Sequence, residues 1–329
     1  MRRAFIGLVA AVLVAPTCWA QSTVGPSNLA SKHIMPIING FAAAAQISQS
    51  ALPPGSNGIA YNGGPIMDDA NGVNVYYIWY GDWSKNRLAQ KVLVNLITHI
   101  GGSPYFNINT TYYSLMPGPN GAPMVKDKVL NAVHYMGSIN DNYSRGVNLD
   151  DTDVELIALN SIASGALPLD TNGNYFVMTS PDVTEITGFC SPASAGGYCA
   201  WHANTNGDPP VPGKDIKIAF IGDAETQCPQ RCISNFQTTM SGSLGADGMA
   251  SATAHELEES VTDPDGTSWI NADFTENADL CEWTYGEPYH AGTAADPYSP
   301  NMKFHEIPYL IQQNWVNAKG GYCAIWWDD

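Results

Sequence analysis

Between Val73 and Tyr80 the chain reads Val-Asn-Val-Tyr-Tyr-Ile-Trp-Tyr, a β-branched and aromatic run that predicts a strand. From Asn86 to Ile100 the apolar positions Leu88, Val92, Leu93 and Leu96 fall at helical spacing. A strand followed by a helix therefore opens the domain. Val125 to Met136 and Asp151 to Ala163 carry two further helical patterns, the second with Asp150 or Asp151 placed to cap its start. Tyr175 to Thr179 and Ile216 to Ile221 are apolar runs of strand length, and the tail suggests a strand around Lys303 and a short helix near Pro308. Residues 21–64 are rich in Ala, Ser, Gly, Asn and Pro with little periodicity, which predicts an extended or flexible leader and a fold beginning near Pro65. With no internal repeat or linker beyond it, residues 65–329 read as one α+β domain of roughly 260 residues, a mixed sheet with helices and long loops.

The chemistry concentrates in His255-Glu-Leu-Glu-Glu259, which follows a run of small residues from Gly248 to Ala254 and precedes the helix-stopping Pro264. At about 100° per residue, Ala250, Ala254, Leu257 and Val261 form one apolar stripe on a short helix, and His255 and Glu259 lie opposite it. One turn apart, they can share a cation, with Glu256 beside them as in the His-Glu-x-x-His helix of zinc peptidases. Glu259 stands where that motif has its second His. Carboxylate oxygen still suits zinc but moves the preference toward calcium. An ordinary surface helix also shows a polar stripe opposite an apolar one, so the pentapeptide alone divides evenly between the two readings. The balance shifts with Glu276, a candidate third ligand, and Asp279, placed to orient His255 or to bind the cation itself; Asp263 competes with Glu276, one turn beyond Glu259.

The segment Ala254-His-Glu-Leu-Glu-Glu-Ser-Val-Thr-Asp-Pro264 resembles a block of the plant EXORDIUM and phosphate-induced protein 1 family. Val73–Gly81, Tyr175–Ser180, Gly188-Phe-Cys190 and Phe220–Pro229 resemble further blocks of it in the same order, so the resemblance spans most of the chain after residue 20. It implies an extracellular protein, in plants one associated with the cell wall and growth, and carries no defined reaction. Glu276–Cys281 and Lys303–Trp315 look closer to bacterial secreted proteins with peptidase-like motifs, which keeps plant growth biology from being transferred. By analogy the domain is expected to be zincin-like, its metal-binding helix crossing beneath a sheet edge along which substrate lies.

Met1-Arg-Arg, an apolar run and Cys18-Trp-Ala20 read as a signal peptide over residues 1–20. The six cysteines beyond it point to disulfides in an oxidising compartment, secreted or periplasmic. Sequence proximity favours Cys190 with Cys199, Cys228 with Cys232 and Cys281 with Cys323. The net charge of −17 becomes −19 once Arg2 and Arg3 are removed, 12 basic residues against 31 acidic, which excludes nucleic acid and anionic membrane as partners. A monomer is expected. His202, after Cys199, is a candidate for stabilising a reaction intermediate, although a histidine fixed in a rigid loop is the stronger reading. His305 and Tyr309 are weaker candidates for the same role. Asp170-Thr-Asn-Gly-Asn174 lacks the distal Glu of a calcium loop and reads as a turn, and the tryptophans read as core before sugar platform. The leading expectation is a secreted zinc hydrolase, peptidase-like, with His255, Glu259 and Glu276 on the metal and Glu256 activating water, acting on extracellular peptide or cell-wall polymer. The alternative is a noncatalytic wall-binding protein with structural calcium.

Overall fold

The computed structural model describes residues 30–38, 56–118, 120, 122–207, 211–293 and 297–328. The segment read as a signal peptide lies outside them. In chain order the elements are β1 (Ala30–Pro36), β2 (Val73–Tyr80), α1 (Arg87–Ile100), β3 (Tyr113–Met116), β4 (Val125–Lys128), β5 (Val133–Asp141), β6 (Asn148–Leu149), α2 (Asp151–Ala163), β7 (Gly173–Thr179), β8 (Thr184–Glu185), β9 (Tyr198–Asn204), β10 (Lys217–Ile221), α3 (Pro229–Cys232) and α4 (Leu244–Thr262). Three hairpins follow: β11 (Ala291–Gly292) with β12 (Pro297–Tyr298), β13 (Met302–Phe304) with β14 (Ile307–Tyr309), and β15 (Asn314–Val316) with β16 (Tyr322–Ala324).

The mixed sheet that organises the chain has the order β1-β9-β10-β7-β2-β5. β5, β2, β7 and β10 run parallel; β9 is antiparallel to β10, and β1 antiparallel to β9. β7, β9 and β10 are buried along their whole length, and β2 nearly so, as expected of strands covered on both faces. After the buried Val133, β5 alternates exposed and half-buried positions, as an edge strand does. Helix α1 turns Ala89, Val92, Leu93, Leu96, Ile97 and Ile100 inward, while Leu88 is exposed. Asp150 caps α2 through a reciprocal capping box with Asp153.

The expected helix over Val125–Met136 is instead β4, a turn and β5. Of the apolar residues at helical spacing there, Val129 and Val133 are buried while Val125 and Met136 are exposed; Asn131 between the strands hydrogen-bonds Gly102 and Ser103 and fixes a turn that no helix could contain. Near Pro308 the chain forms β14 where a helix was expected. On a two-stranded hairpin, proline's missing donor is tolerated. The segment read as a leader contributes β1, an edge strand with His33, Met35 and Ile37 turned inward.

Helix α4 is 19 residues long, not short, and its apolar stripe and its polar stripe are both buried. The small residues before His255 belong to it. A methyl group at Gly248 would lie 2.8 Å from Ile233 Cγ1, and one at Gly245 would collide with the Asp223 carboxylate, so close packing rather than a loop explains that composition.

Three disulfides staple the loops: Cys190–Cys228, Cys199–Cys232 and Cys281–Cys323. The first two correct the expected local pairing. β9 and helix α3 lie side by side, so each bond joins distant segments and neither closes a small loop. No helix among the described residues is long and apolar enough to cross a membrane.

Candidate metal centre

α4 passes beneath β9 and β1, and residues 263–281 fold back over its polar side. This brings His33 from β1, His202 from β9, His255, Glu256 and Glu259 from α4, and Asp263, Glu276 and Asp279 from the following loop into one buried cluster. Three sets of ligand atoms lie mutually within 4.8 Å: His255–Glu259–Asp279, His202–Glu259–Glu276 and His33–Asp263–Glu276.

In the first set His255 Nε2 stands 3.0 Å from Glu259 Oε1 and 3.5 Å from Asp279 Oδ1. Neither approach is aligned as a hydrogen bond, and Nε2 has no other partner. In the second, His202 Nδ1 is 3.5 Å from Glu259 Oε2 and His202 Nε2 is 3.7 Å from Glu276 Oε2. Ligands about 2.0–2.2 Å from a tetrahedral cation are separated by about 3.3–3.6 Å, close to the values in the first set. His202 Nε2, His255 Nε2, Glu256 Oε1, Glu259 Oε2, Asp263 Oδ2 and both Glu276 oxygens are buried without a hydrogen-bond partner. Such groups are costly to leave bare, and bound cations would satisfy them.

Of the two downstream carboxylates, Asp279 closes on His255 and Glu259, while Glu276 faces His202 and His33. Asp263 joins Glu276 rather than replacing it; its Oδ1 accepts from Thr267 N (2.7 Å) and Ser268 N (2.6 Å), which closes the end of α4. Glu256 Oε2 is 3.0 Å from His202 Nδ1, so His202 sits on a sheet strand against the expected base rather than in a loop.

Sequence reasoning missed two participants. His33 lay in the supposed leader, although the inward alternation His33, Met35, Ile37 marks a strand. Gln312, whose side chain contacts His255 Nδ1 and fixes the ring, follows Ile311 with nothing in its spacing to connect it to α4. With its amide oxygen turned to Nδ1–H, the ring would present Nε2 as a lone pair to the carboxylates.

The charges of the cluster divide unevenly. Burial pushes the Glu256 carboxyl up to about 7, against the pull of His202 and His255. Burial acts on Glu259 too, yet His255 and His202 draw it down to about 2. Glu276 is raised well above the carboxylate range by burial and by Glu259 and Asp263. Burial and His202 lower His33 to about 4, so its ring is neutral, the form that binds metal.

The other candidates lie elsewhere. His305 is exposed and stacks on His99; Tyr309 OH donates to Val92 O and receives Asn95 Nδ2. Asp170 accepts from Asn74 and Tyr76 and shapes the turn before β7. Trp79, Trp83 and Trp201 are core residues.

The conserved region of phosphate-induced protein 1 matches residues 59–299. Among Arabidopsis thaliana proteins, EXORDIUM-like 5 is 30% identical over 248 residues, covering 69% of this chain and 65% of that protein. EXORDIUM-like 3 is 28% identical over 298 residues, 81% of this chain and 82% of its own, and EXORDIUM is 26% identical over 267 residues, 72% and 77%. The chain thus spans just under two thirds of EXORDIUM-like 5. No solved structure matches.

Proposed function

Because the chain belongs to the phosphate-induced protein 1 (EXORDIUM) family, whose relatives' names specify no reaction, its activity has to be read from its own site, and we propose a secreted, metal-dependent, peptidase-like hydrolase. The observation that carries this reading is the uncommitted Glu256: a buried carboxylate beside the ligand set, one oxygen on His202 and the other without a partner. His255, Glu259 and Asp279 would hold the cation, whose chemistry is to polarise a carbonyl and acidify a bound water. Glu256 would take that water's proton, and His202, bonded to Glu256, would orient it. Imidazole in every ligand set favours zinc over calcium, which takes oxygen ligands. The antiparallel edge above α4 fits an extended peptide or a cell-wall polymer as substrate, and three disulfides fit a secreted or periplasmic location.

The second reading, a noncatalytic extracellular protein with a structural cation, is favoured by one observation: His255, Glu256, Glu259 and Glu276 are all fully buried, as in closed structural metal sites. Peptide-library hydrolysis by purified, zinc-loaded protein separates the two. Cleavage that disappears on chelation and returns with zinc supports the enzyme; stoichiometric zinc with no cleavage supports the structural role.

A further inference from the structure

Building on that metal-centre reading, we propose that the chain binds a second divalent cation through His33, Asp263 and Glu276, and that this cation fastens strand β1 to the sheet. The three ligand atoms lie within 4.8 Å of one another, and all three residues are buried. His33 Nδ1 is 2.8 Å from Glu276 Oε2, off the direction a ring N–H would need, so that neither Glu276 oxygen has a hydrogen-bond partner. Asp263 commits Oδ1 to the backbone and leaves Oδ2 bare. The His33 ring stacks on His202 at 5.2 Å and 15°, which holds its edge in place.

A single ion cannot serve both ends of the cluster. The His33 set shares no residue with the His255 set; they are joined only through His202, Glu259 and Glu276. Charge argues the same way. Ligating imidazoles are neutral, so Glu256, Glu259, Asp263, Glu276 and Asp279 present up to five negative charges to the metal alone. One divalent ion leaves three of them unbalanced and two leave one. Glu276, facing both His33 and His202, is the bridging carboxylate.

The second site has a structural consequence. β1 precedes the stretch that matches the family, residues 59–299, and its other ties include its register with β9 from Ala30↔Asn204 to Pro36↔Tyr198, the 2.6 Å Lys32–Asp151 ion pair and a hydrogen bond from Trp283 Nε1 to Pro36 O. Metal bound by His33 adds a coordinate bond between this segment and the loop after α4.

The test uses full-length protein loaded with zinc and freed of excess ion, with zinc counted per chain by elemental analysis and β1 amides followed by hydrogen exchange. The proposal expects two zinc ions in the native chain, one in His33→Ala and one in Asp263→Asn, which keeps the Oδ1 contacts that close α4. Exchange over Ala30–Pro36 should quicken at least tenfold in His33→Ala and in zinc-free native protein. One zinc in the native chain, kept by His33→Ala and lost by His255→Ala, overturns the second site and leaves the first standing. One zinc lost by His33→Ala and kept by His255→Ala supports the second site and removes the first. No zinc in any variant sinks both.

Discussion

Removing the cation should lower the melting temperature by about 7 °C or more. Five carboxylates converge in the cluster, and four of them, Glu256, Glu259, Asp263 and Glu276, are fully buried; the imidazoles of His33, His202 and His255 can offset at most three charges. Without metal the remainder must take up protons or stay charged in a dry interior, where each unpaired ion costs several kcal/mol. A bound cation at a free concentration 1,000 times its Kd contributes about 4.1 kcal/mol to the folded state. Roughly 270 residues at about 2.1 cal/mol/K each give an unfolding entropy of about 0.57 kcal/mol/K, so that contribution corresponds to about 7 °C. A second ion would add to it. The assay is thermal unfolding of protein dialysed against a chelator in mild urea and returned to buffer, its metal content checked by elemental analysis, before and after addition of zinc chloride. A verified metal-free protein that melts within about 2 °C of the zinc-loaded form, roughly 1 kcal/mol on the same scale, would refute the reasoning, and restoration by calcium as complete as by zinc would refute the choice of ion.

Glu256→Gln should retain zinc while reducing hydrolysis by about 10²–10⁴, whereas His255→Ala should lose both; a Glu256→Gln protein that sheds zinc, or keeps full activity, removes Glu256 from the role of base. Gln312→Ala should weaken zinc binding by about 10–100-fold, measured by competition with a chromophoric chelator, and an unchanged affinity would show that the ring of His255 needs no outer partner. Glu185 accepts from the backbone N–H groups of Thr187, Gly188 and Phe189 and from Tyr198 OH. Burial pushes its carboxyl up, but these donors outweigh it and hold the value below normal. The stability it supplies is therefore present above the ordinary carboxylate range and fades as pH falls through the lowered value. Glu185→Gln should cost on the order of 3 kcal/mol in urea melts at neutral pH and less at pH 3, and an equal loss at both would contradict the assignment.

Elements whose sequence pattern and tertiary setting agree were legible: β2, α1, α2 with its Asp150 cap, β7 and β10 all form where the pattern placed them. The failures have one cause, contacts distant in sequence. Val125, Val129, Val133 and Met136 mimic a helical period, but only Val129 and Val133 are buried, and only the pairing of β5 with β2 and the turn at Asn131 reveal strands there. His255, Glu256, Glu259, Glu276 and Asp279 were identifiable because helical spacing and a short downstream separation carry the signal. His33 and Gln312 enter through the β1–β9 register and the loop before β15, 222 and 57 positions from His255, and no local pattern encodes that approach. Two of the three cysteine pairs failed likewise: proximity along the chain favours Cys228 with Cys232, whereas α3 against β9 sets each opposite another partner, and only Cys281–Cys323 forms as expected.

The Cys281–Cys323 bond has a bearing on when the centre can be built. Glu276 and Asp279 stand on a stretch whose regular structure is one 3₁₀ turn, Asp279–Cys281, and the disulfide anchors the end of that turn to β16. Closing a loop of 42 residues removes about 4 kcal/mol of disorder from the unfolded chain. Until the thiols are oxidised, that entropy opposes holding both carboxylates against α4. If the centre binds metal as proposed, oxidation would come before efficient metal capture. A newly made polypeptide in a reducing interior would leave zinc to competing ligands there, and the ion would be acquired on arrival in an oxidising compartment, from whatever supply that surrounding offers.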